Sequence, residues 1–185
     1  MFEIKSSLRL STLILMIAIF TFSCDKDSEQ PPVSIYGIYV LTEIETEGQY
    51  DFLNTGVVSS DLKKQVEVEQ SFNFNSILLT LNAGSPDIAN MVIIEAGLLT
   101  TLPGNIPLIR YNNVSKLLNI EKQADNKTFT IVTPNAATEQ VGAVQEMEMV
   151  NQFQIKVMVP QRIYDFNTEA WVNTTVAYTF NRLYV

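Results

Sequence analysis

The chain reads as an all-β protein, an antiparallel barrel or sandwich of about eight strands with one short helix after the first strand. Three observations predict this. From residue 36 almost to the carboxyl terminus, stretches that alternate polar with apolar residues recur one after another. Short turns rich in Gly, Pro, Asn and Asp separate them. Helical periodicity does not intervene between successive strands, so a parallel sheet with crossover helices is excluded, and closure into a barrel removes the edges such strands would expose.

Before the first strand the chain divides into a leader, residues 1–23, and a tether, residues 24–34, ahead of a domain over 35–185. Lys5 and Arg9 give the leader a basic start, and residues 10–22 are apolar except for Ser11, Thr12 and Thr21. That run has signal-peptide length and falls short of the roughly 20 apolar residues that cross a bilayer as a helix. Thr21-Phe22-Ser23-Cys24 then resembles the lipobox of bacterial lipoproteins, in which the cysteine becomes the acylated amino terminus. Thr21 and Phe22 depart from the commonest residues of that motif, whereas Ser23 fits it. Cys24 is the sole cysteine, and the resemblance makes it the lipid-attachment site. Each buried methylene of its acyl chains contributes about 0.8 kcal/mol, so two or three chains hold the protein to a membrane without appreciable release. Asp25, Lys26, Asp27 and Glu29, followed by Pro31 and Pro32, make a polar spacer that cannot bury a core. This acidic run resembles the export signal that sends some Gram-negative lipoproteins to the outer leaflet of the outer membrane, which implies a lipid-anchored protein at the cell surface.

The first strand is expected over residues 36–46, with Ile38, Val40, Thr42 and Ile44 on one face. Gly48, Asp51, Asn54 and Gly56 mark a loop. A short helix over residues 59–69 is expected next, capped by Ser59 or Ser60 with Leu62 and Val66 turned inward, although residues 66–69 also alternate like a strand. Phe72 and Phe74 fall on one face and Ile77, Leu79 and Leu81 on the other, which predicts a bulge at Asn75-Ser76. Ala83-Gly84-Ser85-Pro86 turns the chain into a strand over 88–101. Leu102-Pro103-Gly104-Asn105 turns it again into one over 106–122, with an interruption expected at Asn112-Asn113. Ala124-Asp125-Asn126 leads to a strand over 127–133 with Phe129 and Ile131 inward. Residues 140–150 and 153–159 form the next two strands, the second ending at Pro160. Residues 164–167 form a short piece, and the last strand, 171–184, carries Val172, Val176, Tyr178 and Phe180 on one face.

The whole chain has 12 basic and 20 acidic side chains, a net charge of −8, and removal of Glu3, Lys5 and Arg9 with the leader takes the remainder to −9. A nucleic-acid partner is excluded by that balance, because phosphates demand a basic surface. Histidine is absent and the one cysteine is assigned to acylation, so His-based triads, thiol nucleophiles, Cys/His zinc sites and disulfides are excluded, and no cofactor is implied. Carboxylate catalysis, a Ser or Thr with Lys, and oxygen-ligated calcium remain open. Glu43 with Glu45, and Glu146 with Glu148, each place two carboxyls about 7 Å apart on one strand face, the spacing of acid/base pairs. A solvated strand face produces the same pattern, and an enzyme is not expected. Asp51 and Gly56 would suit the first and sixth positions of a calcium loop, but Leu53 cannot ligate and Leu62 stands where a glutamate is needed, so a plain turn is the better reading. Asn113-Val114-Ser115, Asn126-Lys127-Thr128 and Asn173-Thr174-Thr175 match the glycosylation triplet and are taken as chance in a bacterial chain.

Gly37-Ile38-Tyr39-Val40-Leu41-Thr42, then Asp51-Phe52-Leu53-Asn54-Thr55-Gly56, then Ser60-Asp61-Leu62 resemble the opening of the lipocalin-like lipoprotein domains of Gram-negative bacteria, with Tyr39 in place of a tryptophan. The resemblance covers about 25 residues and implies an eight-stranded up-and-down barrel. The expected function is non-catalytic binding of a small apolar or glycan-like ligand. The alternative is an envelope module that docks a protein partner without a small ligand, through exposed aromatics such as Trp171 or Tyr184. An interior lined by small residues would favour the first, and one filled by Phe, Met and Leu the second.

Overall fold

The computed structural model describes residues 34–70, 73–125, 127–132 and 142–183, with the side chains of 68–70 excepted. Cys24 and the tether as far as Val33, Phe72, Asn126, the turn Thr133-Pro134-Asn135 and Tyr184 lie outside these residues. The described chain is a closed antiparallel barrel of eight strands with one extra strand and one α-helix.

The strands are β1 (Gly37–Tyr50), β2 (Ser59–Asp61), β3 (Leu78–Asn82), β4 (Ser85–Leu102), β5 (Ile106–Lys122), β6 (Thr128–Ile131), β7 (Glu146–Asn151), β8 (Gln154–Asp165) and β9 (Ala170–Arg182). The wall runs β1-β3-β4-β5-β6-β7-β8-β9 and returns to β1, whose residues 39–46 pair with 176–182 of β9. Strand β2 takes the edge of β1 that β3 leaves free, opposite Glu45 and Tyr50. The helix α1 (Leu62–Gln70) follows β2 directly, and Leu62 and Val66 are fully buried as their four-residue spacing requires. Its cap is Asp61 rather than a serine, since the Asp61 carboxylate accepts the Lys64 amide at 2.9 Å.

Four further expectations need correction. In β1 the buried residues are Tyr39 and Leu41, then Ile44 and Thr46, while Ile38 is exposed. The register against β9 shifts between Leu41 and Glu43, so a bulge at Thr42 moves the inward face by one residue. Strand β5 runs unbroken through Asn112 and Asn113, both exposed and paired with β4. Strand β8 continues through Pro160 to Asp165. The Pro160 carbonyl accepts the Gly142 amide at 2.6 Å, and a strand residue turns its N–H and C=O to the same edge. The missing N–H therefore faces the loop before β7 and costs β9 no ladder bond. Around Asn75 the expected bulge is instead one turn of 3-10 helix, Phe74–Ser76, capped by Asn73.

The barrel has unlike ends. At the near end, where Ser34 leads into β1, all eight wall strands pair. Arg182 donates there to the carbonyls of Ser34 and Tyr36, and the Tyr39 hydroxyl donates to Ile35, which fixes the first described residues. Toward the far end β3, β6 and β7 stop, and β4 and β5 project beyond them as a long arm. The interior is filled: Tyr39, Met91, Met147, Tyr178 and Phe180 are all fully buried. A barrel of this size holds either one small ligand or side chains, and here side chains occupy it.

Candidate functional site

The far end is closed by side chains, and the concave surfaces lie around those closures. Beyond Met91, β4 has lost β3 as a neighbour, which frees the backbone of Ile94. Its N–H donates to the Tyr178 hydroxyl at 3.2 Å, and its carbonyl accepts from Gln161 Nε2 at 2.7 Å and the Tyr178 hydroxyl at 3.1 Å. Strands β8 and β9 thus satisfy a β4 residue across the barrel by side chains instead of a ladder. Burial raises the Tyr178 phenol above its ordinary range, against hydrogen bonds with Ile94 and Gln161 that lower it. Tyr111, opposite Ala96 on β5, is raised by burial and by Tyr178, and its hydroxyl has no hydrogen-bond partner among the described residues.

A second closure joins two loops. Asp51 and Asp165 are both buried; Asp165 Oδ1 accepts the Asp51 amide at 3.0 Å, and the Phe166 amide donates back to the Asp51 carbonyl at 2.9 Å. Burial would raise the Asp165 carboxyl, but donors from Thr168, Asp51 and Asn167 outweigh it and hold the group below its ordinary value. Asp51 spends its own carboxylate on the amides of Leu53, Thr55 and Gly56 at 2.7–3.2 Å. Both oxygens face N–H donors, the surroundings of a loop-shaping carboxylate and not of a calcium ligand.

Between these closures lies a cleft of about 190 Å³ lined by Glu95 and Ala96 of β4, Gly142, Gln161 and Arg162 of β8, and Trp171 of β9. Trp171 pairs with Tyr164 across the strands, and Arg162 lies diagonal to it on the same face. The Tyr164 ring meets the Trp171 ring edge-on at 5.5 Å and Phe166 at 4.9 Å, so the indole stands on an aromatic base. Arg162 Cζ sits 5.1 Å from the indole centroid, within cation–π range. Glu95 is paired with Lys116 at 2.9 Å. Gly142 has φ of +85°, and a Cβ there would come within 2.8 Å of Glu95 Oε1, so the loop presses against this ion pair.

Two other hollows flank α1. One, of about 300 Å³, is lined by Leu53, Thr55, Val57, Ser59, Asp61, Lys64 and Gln65. The other, of about 170 Å³, gathers Glu43 and Glu45 with Thr42, Asp61, Lys63, Lys64 and Glu67. Glu43 and Glu45 are exposed, as are Glu146 and Glu148 on β7. None of these hollows is lined by the fully buried interior side chains. Among the described residues, no group of three or more Asp, Glu, Cys or His is placed to hold a metal.

Of the residues singled out from sequence, Trp171 reaches the cleft. Glu95, Gln161 and Arg162 were not foreseen, because they come from two strands that are not neighbours in the wall. Sequence alone offered one hint, the polar Gln161 at an inward position of β8. No family model, curated protein or solved structure matches the chain.

Proposed function

We propose that the protein is a lipoprotein of the Gram-negative envelope, held by acyl chains on Cys24, whose lipocalin-like barrel binds a small glycan-like ligand without catalysis. The filled interior counts against a guest inside the barrel and toward docking, so the observation that carries the ligand reading is the polar, tryptophan-bearing cleft outside the interior. An apolar guest inside the barrel would need the space that Tyr178, Phe180 and Met91 occupy. A sugar needs an apolar ring to lie against and polar groups around it, which Trp171, Glu95 and Arg162 supply. The cleft is smaller than the 300–1,000 Å³ of drug-sized sites, so a single ring is the appropriate scale.

Anchoring is tested by mass spectrometry of the protein extracted from membranes. The expected amino terminus is a diacylglyceryl-modified Cys24, and an unmodified Cys24 or a retained leader contradicts the proposal. Binding is tested by calorimetry of the purified full chain against neutral and acidic monosaccharides, and Trp171→Ala should abolish any binding found.

A second reading, docking of a protein partner, is favoured by the arm. Residues 96–109 carry no charge, and Leu98, Leu99, Leu102, Ile106 and Leu108 are exposed there. Clustered exposed apolar residues mark interaction surfaces. Photocrosslinking from Leu99 and Ile106 in isolated envelopes should then capture one reproducible partner, and failure to do so counts against docking.

A further inference from the structure

Charge around the cleft is unbalanced. Glu95 is neutralised by Lys116 at 2.9 Å, whereas among the described residues no carboxylate lies within ion-pair distance of Arg162. In a chain of net charge −8, Arg162 is thus a cation of the cleft with no carboxylate partner among the described residues. Arg162 is exposed, yet the indole 5.1 Å from its Cζ restrains it, so ordering it on a ligand loses less side-chain entropy than ordering a free arginine. Gln161 cannot share the work, since its amide donates inward to Ile94 and Tyr178. Recognition falls to Arg162, Trp171 and Glu95.

A guanidinium presents a planar fork of N–H donors that matches a carboxylate in bidentate fashion. One such fork, beside a Glu95 already paired with Lys116, suits a planar, singly charged group. Glu95 accepts hydrogen bonds, the complement of sugar hydroxyls. We propose that the cleft takes an acidic sugar of the uronic type, its carboxylate on the Arg162 fork, its ring against Trp171 and a hydroxyl donating to Glu95. This inference rests on the glycan reading above and adds the acid group.

Trp171 is the only tryptophan in the chain, so its emission reports on this cleft alone. The purified full chain is titrated with glucuronate, glucose and acetate, followed by Trp171 fluorescence and by calorimetry. Glucuronate should bind at least about tenfold more tightly than glucose, the range a charge-assisted pair supplies, with acetate weakest. Arg162→Gln should reduce glucuronate to about the level of glucose while the thermal midpoint stays unchanged. Arg162→Lys, which keeps the charge and loses the fork, should fall between. Equal binding of glucose and glucuronate overturns the acid assignment and leaves the glycan reading standing. Acetate binding as tightly as glucuronate overturns the sugar and leaves a bare carboxylate site. No response to any of the three overturns both.

Discussion

The two ends of this barrel are closed by different means. At the near end the backbone does it: β1 meets β9 and β3, and β5 to β8 pair in unbroken succession. At the far end three strands have stopped, and closure passes to side chains, with Gln161 and Tyr178 on Ile94 and Asp165 on the 51–58 loop. A ladder bond depends little on which residue makes it; a side-chain closure depends on one or two named groups. The far end can thus carry specific surfaces on a scaffold that the near end keeps rigid. It is also the end expected to open first.

Substitutions at the two ends should separate accordingly. The largest effect is expected from Phe180→Ala, since Phe180 is fully buried opposite Leu41 and Ile155 where the barrel closes. A loss of about 3–5 kcal/mol in denaturant unfolding, spread over the whole domain, is the expected result. Asp165→Ala should cost about 2–3 kcal/mol, because it strands the Asp51 and Asn167 amides and the Thr168 hydroxyl. Its disturbance should be confined to the far end, seen as amide shift changes in residues 51–58 and 166–169.

Acid sharpens the same contrast. The folded Asp165 carboxyl lies below its ordinary value, so its contribution is complete above an unfolded aspartate pKa of about 4 and is lost as pH falls through the folded value. Lowering the pH below about 4 should loosen the two far-end loops in wild type, and Asp165→Asn should remove that part of the acid dependence. The near end has a counterpart in Asp125. The Thr128 amide and hydroxyl, with the Lys127 amide, hold it down to about 2, so its turn should keep its shape to lower pH. Tyr178→Phe removes the hydroxyl from Ile94 and should cost about 1–2 kcal/mol, with faster exchange at Ile94. The smallest effect, about 1 kcal/mol, is expected for Gly142→Ala, which strains a positive φ and pushes Glu95 aside.

Much of the barrel was legible in the sequence because alternation reports directly on a wall with one wet face. What escaped was phase. Tyr39 and Leu41 compete with Ile38 and Val40 for the inward face, and only the downstream set, Ile44 and Thr46 between exposed glutamates, reveals that a residue is bulged at Thr42. Pro160 read as a stop because the sequence does not say which edge of a strand lacks a partner. Asn112 and Asn113 read as a break because polarity on a solvated arm resembles a turn. The cleft was less legible. Trp171 stood out as the lone tryptophan, but Glu95 and Arg162 meet it only because β4 outruns β3 and swings against β8, a consequence of strand lengths and not of any motif.

Native-state hydrogen exchange of the full chain, measured over increasing denaturant, tests the contrast between the ends most directly. Amides of β1 and β9 such as Ile44 and Tyr178 should exchange only through global unfolding, while those of the 97–108 arm and the 51–58 loop should exchange through local openings of clearly lower free energy. Arm amides as slow as Ile44, following one common isotherm with it, would contradict this account.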